Sequence, residues 1–277
     1  MTLIALTSAK SSGVTSSALA LALASPRRSL LAECDPAGGT IRTGYLQGHA
    51  TTASVGLHRL ATADRSGTLP EVFEQHLVPL DSAGDRLLLP GLTDPSQASS
   101  LAGTWENLHR LLRVMEEDQF DVIVDAGRVV VDSSTRLNEV VSPAVLLRRA
   151  DLVLLVVRCT ASSLAAAAPV VRTLREDLDR NGTGSGALGL LLIEDGPFRA
   201  AEIGGNLGTP VVATLPHDPQ TAAVLSEGGQ VRGRFALAPL VRAARSAHEP
   251  LTVAATRRRM QLTPRAAAHR TGEVSHV

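Results

Sequence analysis

Short, continuous apolar segments recur along this chain, and stretches with helical spacing separate them. Unbroken apolar runs of this length are typical of parallel strands whose sheet is covered on both faces. We identify seven candidate strands: Leu3–Leu6, Ser29–Asp35, Arg86–Pro90, Asp121–Asp125, Asp151–Val157, Gly186–Ile193 and Pro210–Leu215. Their alternation with helices predicts an α/β fold, with a doubly wound, mostly parallel sheet and helices on both faces.

The chain has 277 residues, enough to bury a full core. We assign residues 1–255 to one α/β domain, whose last element is a helix within residues 236–255. Beyond Ala255 the apolar periodicity ends, and the only acidic residue is Glu273 among five arginines: Arg257, Arg258, Arg259, Arg265 and Arg270. This composition predicts a basic, disordered tail over residues 256–277.

The overall composition excludes several classes of function. Formal charge is balanced, with 27 basic and 27 acidic residues, so no global field favours nucleic acid or membrane. Aromatic residues make up 2% of the chain, which argues against a protein that binds single strands by base stacking. Cys34 and Cys159 lie in or beside apolar runs, which indicates buried free thiols in a reducing compartment. No basic leader and no membrane-length apolar segment is evident, so we expect a cytoplasmic protein.

The single lysine of the chain, Lys10, follows the first candidate strand. Small polar residues come next, from Ser11 to Ser17, and the alanine/leucine stretch Ala18–Ala24 has strong helix propensity. A strand, a loop of small residues and a helix, in that order, place backbone N–H groups and a helix N-terminus around a phosphate. The sequence therefore predicts a phosphate-binding loop here.

Acidic residues stand at the carboxyl ends of two candidate strands. Glu33 and Asp35 close the second strand, and Asp125 closes the strand of Val122–Val124. Ligands of open α/β sheets bind at this edge, where carboxylates near a phosphate loop hold Mg²⁺ directly or through water. These three residues are therefore candidates for chemistry at the loop.

Taken in order, these motifs resemble the ParA/MinD family of deviant Walker-A ATPases, which belong to the SIMIBI class of P-loop NTPases. The family has a Lys-Gly-Gly-x-Gly-Lys-Thr loop, a strand ending in Asp-x-Asp-Pro-x-Gly, and a later apolar strand ending in Asp. The corresponding segments here are Lys10–Ser16, Glu33–Gly38 and Phe120–Asp125. Leu207–Asp218 is similar to the closing strand of the family and its Pro-x-Asp loop. The resemblance covers about Leu3 to Gly229.

The loop departs from the family pattern in either of two registers. Without a gap, Thr15 stands at the lysine that contacts the β- and γ-phosphates, and Ser16 stands at the Mg²⁺-binding threonine. In a register one residue shorter, Gly13 meets the third glycine and Val14 takes the place of the lysine. The phosphate-loop lysine is absent in both, which weakens nucleotide binding and leaves hydrolysis in doubt. Arg128, just past the Asp125 strand, is the nearest cation that can replace its charge.

The resemblance implies a role for each matching residue. It implies catalytic roles for Asp35, Glu33 and Lys10, where Lys10 matches the lysine that reaches into the nucleotide site of a partner subunit. It implies magnesium ligands at Ser16, Asp35 and Asp125. The implied cofactors are ATP and Mg²⁺, bound weakly or not at all, and the implied nucleotide contacts are Lys10, Ser11, Ser12, Gly13, Val14, Thr15, Ser16, Pro216 and Asp218.

The function implied by the resemblance is a nucleotide-binding switch for intracellular positioning or partition, with weakened or absent ATP hydrolysis. The implied partners are a second copy of the chain, in a homodimer, and an unidentified protein. Non-specific DNA or an anionic membrane is a further candidate through the arginine tail, which would put the protein at the nucleoid or the membrane periphery. The alternative is a nucleotide-independent pseudo-ATPase scaffold in a septum, pilus or secretion complex.

Overall fold

A computed structural model describes residues 2–47, 55–132, 134, 136–229 and 234–262. This part of the chain forms one sheet, whose strands are β1 (Leu3–Ser8), β2 (Ser29–Glu33), β3 (Val78–Pro79), β4 (Arg86–Leu89), β5 (Asp121–Arg128), β6 (Leu152–Arg158), β7 (Leu188–Glu194) and β8 (Val211–Pro216). They lie in the order β3-β4-β2-β5-β1-β6-β7-β8. All neighbouring pairs are parallel except β3 with β4. The predicted doubly wound, mostly parallel sheet is confirmed.

Helices occupy the segments between the strands. In chain order they are α1 (Val14–Ala24), α2 (Leu57–Arg65), α3 (Leu69–Val72), α4 (Trp105–Glu117), α5 (Ala144–Arg149), α6 (Ala161–Asn181), α7 (Ala200–Leu207), α8 (Pro219–Glu227) and α9 (Pro239–Leu262). Short 3-10 segments occur at Phe73–His76, Pro95–Leu101, Ser185–Ala187 and Phe235–Leu237. Two of the stretches with helical spacing form α4 and α6, where Leu108, Leu112, Leu174 and Leu178 are fully buried.

The core is divided into two layers, one on each face of the sheet. Alternate residues of each strand enter opposite layers, as the pleat requires: Leu3 and Ala5 pack with α4, α5 and α6, whereas Ile4 and Leu6 pack with α1 and α9. Aliphatic side chains make up most of both layers, and the first layer also contains Phe73, Trp105 and Phe120. Covering both faces explains why the strands read as continuous apolar runs rather than as alternating ones.

The winding of the sheet reverses at its centre. From β1 the chain first adds β2 and β4 on one side, then inserts β5 between β2 and β1, and later adds β6, β7 and β8 on the other side. In sheets of this kind the crevice for a ligand opens at the carboxyl ends of the strands, next to such a reversal. Here that edge carries the loops after β1, β2 and β5.

The C-terminal helix extends beyond the boundary predicted at residue 255. Pro239 begins α9, as a proline in a first turn allows, and the helix continues without interruption through Pro250 to Leu262. Leu251 and Ala255 are buried against the second core layer, and this packing holds the helix together past the proline. Arg259 also contacts the acidic pair Glu116 and Asp151. Residues 256–262 therefore belong to the folded domain.

The remainder of the predicted tail, residues 263–277, lies outside the described residues. Within the part that the structure describes, none of the helices combines the length and the apolar character that crossing a bilayer demands. Cys34 and Cys159 are buried and free, as the sequence predicts.

Candidate nucleotide-binding site

The loop between β1 and α1 ends at a glycine in a left-handed conformation. Gly13 has φ 89° and ψ 35°, and it stands immediately before the first residue of α1. The first intrahelical hydrogen bond of α1 runs from the Ser17 N–H to the Gly13 carbonyl, at 3.0 Å. The N–H groups of the first helical turn therefore have no acceptor within the helix, and they form the positive end of its dipole. This is the arrangement that binds phosphate.

A cleft of about 190 Å³ opens at this end of α1. It is bounded by the loop and first turn on one side, and by residues that follow β2 and end β5 on the other. Its lining is Ser8, Ser11, Ser12, Gly13, Val14, Thr15, Ser16, Asp35, Gly127 and Arg128. Among the predicted site residues, the structure thus brings Ser11–Ser16 and Asp35 together, with Asp125 directly beneath.

Lys10, the single lysine of the chain, and Val14, which takes the place of the phosphate-loop lysine in the shorter register, lie in contrasting environments. Val14 is 6% exposed, and its side chain belongs to the apolar layer that also contains Leu6 and Leu19. Lys10 is exposed and does not line the cleft. Within one copy of the chain, neither position 10 nor position 14 supplies a cation to the cleft.

Asp125 is fully buried at the floor of this region, with its Oδ1 accepting a hydrogen bond from the Gly127 N–H at 2.9 Å. The Oδ2 atom is buried without a hydrogen-bond partner among the described residues. Burial is the main cause that raises the pKa of Asp125 to about 7, and the neighbouring Glu33 and Asp35 raise it further. The Thr15 hydroxyl and the Gly127 N–H act in the opposite direction. An unpartnered carboxylate oxygen is the donor that a hard cation or its bound water requires.

The hydroxyls of Thr15 and Ser16 face different parts of the molecule. Thr15 lies beside Asp125 and lowers its pKa, whereas the Ser16 hydroxyl lies 3.3 Å from the hydroxyl of Ser226 at the end of α8. The structure therefore places Thr15 beside Asp125, and it turns Ser16, the predicted magnesium ligand, towards α8. Thr15 also follows Gly13 at the spacing of the shorter register.

Glu33, for which the resemblance implies a catalytic role, is bound by backbone donors of two loops. Its Oε1 accepts hydrogen bonds from the N–H groups of Thr40 and Ile41, at 2.6 and 3.0 Å, and its Oε2 accepts one from Gly91 at 2.9 Å. The carboxylate is 1% exposed and does not line the cleft. Burial raises its pKa, against the lowering effect of the three N–H donors. Glu33 thus connects the loop after β2 to the loop after β4 through the hydrogen bonds it accepts.

Asp35 lies at the mouth of the cleft, as the sequence predicts. Its Oδ1 accepts a hydrogen bond from the Ala37 N–H at 2.8 Å, in a tight turn after β2. Burial raises its pKa, while Ala37 and the charge of Arg128 lower it. Gly127 is in the left-handed region at φ 61°, and a Cβ there would stand 2.1 Å from the Asp35 Cγ. Only glycine at position 127 leaves room for the carboxylate of Asp35.

Two of the implied nucleotide contacts, Pro216 and Asp218, lie at the carboxyl end of β8 and do not line the cleft. Asp218 caps α8 by accepting hydrogen bonds from the N–H and the hydroxyl of Thr221, at 3.1 and 2.6 Å, and a third from the Leu240 N–H at 3.3 Å. Pro216 ends the strand and stands opposite Glu194 of β7. The carboxylate of Asp218 therefore has a structural role in joining α8 to α9.

Sequence reasoning left the register of the loop open and missed the structural role of Glu33. The signal for the register is Gly13, the only glycine between Lys10 and Ser17, because the residue before α1 requires a positive φ. No comparable signal exists for Glu33, since its three donors come from backbone groups of two distant loops.

Solved structures of known proteins resemble this chain along most of its length. An ATP complex of a McdA variant from Cyanothece has a TM-score of 0.64 at 17% identity, and the alignment covers 91% of this chain and 96% of that one. A ParA family ATPase from Chlorobium tepidum gives 0.63 at 14% identity, with 90% and 97% covered. The septum site-determining protein MinD from Pyrococcus horikoshii, complexed with Mg-ADP, gives 0.60 at 15% identity, with 91% and 97% covered.

This chain has the fold of the MinD and ParA ATPases. At these identities the likeness concerns the fold, and it agrees with the strand order and the position of the cleft described above. In sequence, the chain is 32% identical over 160 residues to the uncharacterized proteins Rv3660c and MT3760 of Mycobacterium tuberculosis. That match covers 54% of this chain and 41% of each relative, so it spans less than half of their length. No protein-family model matches the chain.

Proposed function

We propose that this chain is a nucleotide-responsive switch of the MinD/ParA type, which binds a nucleoside triphosphate with Mg²⁺ at the cleft before α1. The observation that carries the proposal is the unpartnered Oδ2 of Asp125, buried beside the Thr15 hydroxyl beneath a phosphate-binding helix N-terminus. A buried carboxylate oxygen without a partner is costly unless a ligand completes it. A hydrated magnesium ion meets that requirement.

The residues present fit a magnesium–phosphate ligand. Thr15 would contribute its hydroxyl and Asp125 its free oxygen to the metal ion, directly or through water. The N–H groups of the first turn of α1 would donate hydrogen bonds to phosphate oxygens. Asp35 stands at the mouth, where it can orient a water molecule. When bound, the metal ion supplies charge neutralisation to the phosphates.

The assignment of Thr15 implies the shorter register, in which Val14 stands in place of the phosphate-loop lysine. A valine buried in the apolar layer gives the phosphates no charge-assisted hydrogen bond. Loss of such a bond weakens binding, and it removes stabilisation of the charge that develops during phosphoryl transfer. We therefore expect binding without rapid hydrolysis, which suits a switch that acts through occupancy.

Lys10 fits a role between two subunits. It is exposed next to the cleft, and the described residues give it no ion pair or hydrogen bond. In a homodimer that faces the two clefts towards each other, Lys10 would reach the nucleotide of the partner. The proposed biological role is intracellular positioning or partition through a further protein partner, and its support is the likeness in fold.

Equilibrium binding of Mg·ATP and Mg·ADP, with molar mass followed by light scattering in the same samples, tests the proposal. We expect binding of both nucleotides and an ATP-dependent dimer. Asp125→Asn should weaken binding in the presence of Mg²⁺ and leave metal-free binding unchanged. Asp118→Asn, the same substitution at an exposed residue that ends α4, is the matched control. Lys10→Ala should abolish the dimer without lowering affinity in the monomer.

A nucleotide-independent scaffold is the second candidate, and the burial of Val14 in the apolar layer favours it. If neither nucleotide binds at millimolar concentration, the switch is refuted and the scaffold is retained. The same protein samples then serve for the identification of its protein partners.

A further inference from the structure

The cleft contains one cation, and it comes from the strand opposite α1. Among the described residues that line the cleft, Arg128 alone carries a positive charge. We propose that Arg128 replaces the missing phosphate-loop lysine and binds the β- and γ-phosphates of the nucleotide directly. This inference rests on the proposed function and names the residue that makes phosphate binding possible without a lysine.

The backbone of β5 places Arg128 at the cleft. The sequence motif ends at Asp125, but the strand continues for three more residues to Arg128, which pairs with Ser8 of β1. The register shifts between Leu6 and Ser8, and Gly127 takes a positive φ within this irregularity. The extension is fixed by the hydrogen bonds from the Thr7 hydroxyl to the Gly127 carbonyl, 3.0 Å, and from the Val129 N–H to the Ser8 carbonyl, 2.8 Å. A bulge at a strand end is a common device for redirecting a side chain at a site.

The guanidinium of Arg128 is available to a ligand. Its Nη2 donates a hydrogen bond to the Ser11 hydroxyl at 2.9 Å, which extends the side chain across the phosphate loop. Within the described part of the chain, no carboxylate lies within ion-pair distance of it, whereas Arg27, Arg113 and Arg148 each pair with a buried aspartate. Arg128 is exposed, and its charge acts on Asp35 across the mouth of the cleft.

A guanidinium without a carboxylate, placed over a helix N-terminus, matches the chemistry of a terminal phosphate. Its planar fork donates two parallel N–H bonds to phosphate oxygens, which an ammonium does not. The bond to the neutral Ser11 hydroxyl is weak enough to be exchanged for a bond to an anionic oxygen. Nucleotide binding would then draw Arg128 from Ser11 to the phosphates and reduce its action on Asp35.

Binding of a fluorescent ATP analogue, with displacement by ATP, ADP, AMP and tripolyphosphate in the presence of Mg²⁺, tests the inference. Arg128→Gln should weaken ATP binding by about ten-fold or more, which is the effect expected for one charge-assisted contact. In this variant the affinity for ADP should fall less and the affinity for AMP should not change, because AMP lacks the contacted phosphates. Arg128→Lys should recover part of the loss. Tripolyphosphate should show the same dependence on Arg128 if the contact is to phosphate rather than to the base.

Two control variants separate direct binding from an indirect effect. Ser11→Ala removes the loop partner of Arg128 but keeps its charge, so it should cost much less ATP affinity than Arg128→Gln, whereas an arginine that only braces the loop would give equal losses in the two variants. Arg180→Gln removes the same charge from an exposed position on α6 and should have no effect. Circular dichroism melting confirms that each variant is folded.

The outcomes distinguish this inference from the proposed function. If the wild-type protein binds ATP and Arg128→Gln binds it equally well, the role of Arg128 is overturned and the nucleotide switch stays intact. The same conclusion follows if Ser11→Ala loses as much ATP affinity as Arg128→Gln. Absence of ATP binding by the wild-type protein overturns the proposed function, and the role of Arg128 with it.

Discussion

Glu33 and Asp125 stand opposite each other on β2 and β5, yet the structure uses them in opposite ways. Both carboxyl groups are buried at the same edge of the sheet, and burial raises the pKa of each. Glu33 receives three backbone N–H donors, whereas one oxygen of Asp125 has no partner among the described residues. The contrast teaches that burial and an acidic side chain do not by themselves identify a ligand site. The carboxylate that we propose as a magnesium ligand is the one with the incomplete set of hydrogen bonds.

The two carboxyl groups also differ in the parts of the molecule that contact them. The donors of Glu33 belong to the loops after β2 and β4, so this carboxylate determines how the rim of the cleft is built. The Oδ1 of Asp125 accepts a hydrogen bond from the Gly127 N–H, and the Thr15 hydroxyl lies beside the carboxyl group. One residue stabilises the rim, and the other is the magnesium ligand that we propose.

The largest expected effect is a loss of folding stability in Glu33→Gln. In the wild-type protein three backbone N–H groups donate to the carboxylate. The amide of the variant places its NH₂ group against at least one of them, which leaves buried donors unsatisfied. We expect the free energy of unfolding to fall by about 4 kcal/mol. Asp125→Asn should not destabilise the protein at neutral pH, because burial raises the pKa of Asp125 and disfavours its charged form in the folded protein. Urea unfolding measures both values, and similar losses in the two variants would abolish the distinction drawn here.

A second prediction concerns pH. The folded-state pKa of Asp125, about 7, lies above the ordinary value of 3.8, so the protonated form is favoured in the folded protein. This contribution is fully present below pH 4 and is lost as pH rises through 7. The wild-type protein should therefore lose stability relative to Asp125→Asn between pH 4 and 7, on the order of 3 kcal/mol. Unfolding of both proteins at four pH values in this range measures it; parallel curves would contradict the assignment.

A third prediction concerns the close packing around Glu33. A Cβ at position 39 would stand 2.4 Å from the Glu33 Oε2, so Gly39→Ala should cost about 2 kcal/mol of stability. The cost should shrink when Glu33 is also substituted, because the two residues are in contact. Gly103→Ala is the matched control, since a Cβ there meets no atom within 4 Å. A double-mutant cycle by urea unfolding gives the coupling, and additive losses would show that Gly39 is constrained by something else.

The architecture was accessible from the sequence because a parallel sheet covered on both faces leaves a strong local pattern. All seven candidate strands are present, within one to three residues of their predicted ends. The short antiparallel β3 was missed, since two residues at a sheet edge, Val78 and Pro79, carry no pattern. The extension of α9 past Ala255 was also missed, because its arginines conceal the packing of Leu251 and Ala255 and the contacts of Arg259.

The site was accessible only in part, for a physical reason. The sequence places carboxylates at strand ends, and it thereby located Asp35 and Asp125 at the edge where the cleft lies. It does not show which carboxylate meets backbone donors, because those donors are supplied by distant loops through tertiary folding. The roles of Glu33 and Asp218 as hydrogen-bond acceptors for the backbone therefore emerge from the structure alone.

The smallest expected effect distinguishes the hydroxyl of Thr15 from that of Ser16, both in the first turn of α1. Thr15→Ala should weaken Mg²⁺-dependent nucleotide binding by about ten-fold, since it removes the hydroxyl beside Asp125, and it should leave metal-free binding unchanged. Ser16→Ala removes only a bond to Ser226 and should leave both forms of binding unchanged. Titration of nucleotide with and without Mg²⁺ measures the difference. A loss confined to Ser16→Ala would restore the ungapped register, and it would place the magnesium ion away from Asp125. The contrast between Glu33 and Asp125 would then describe packing rather than a binding site.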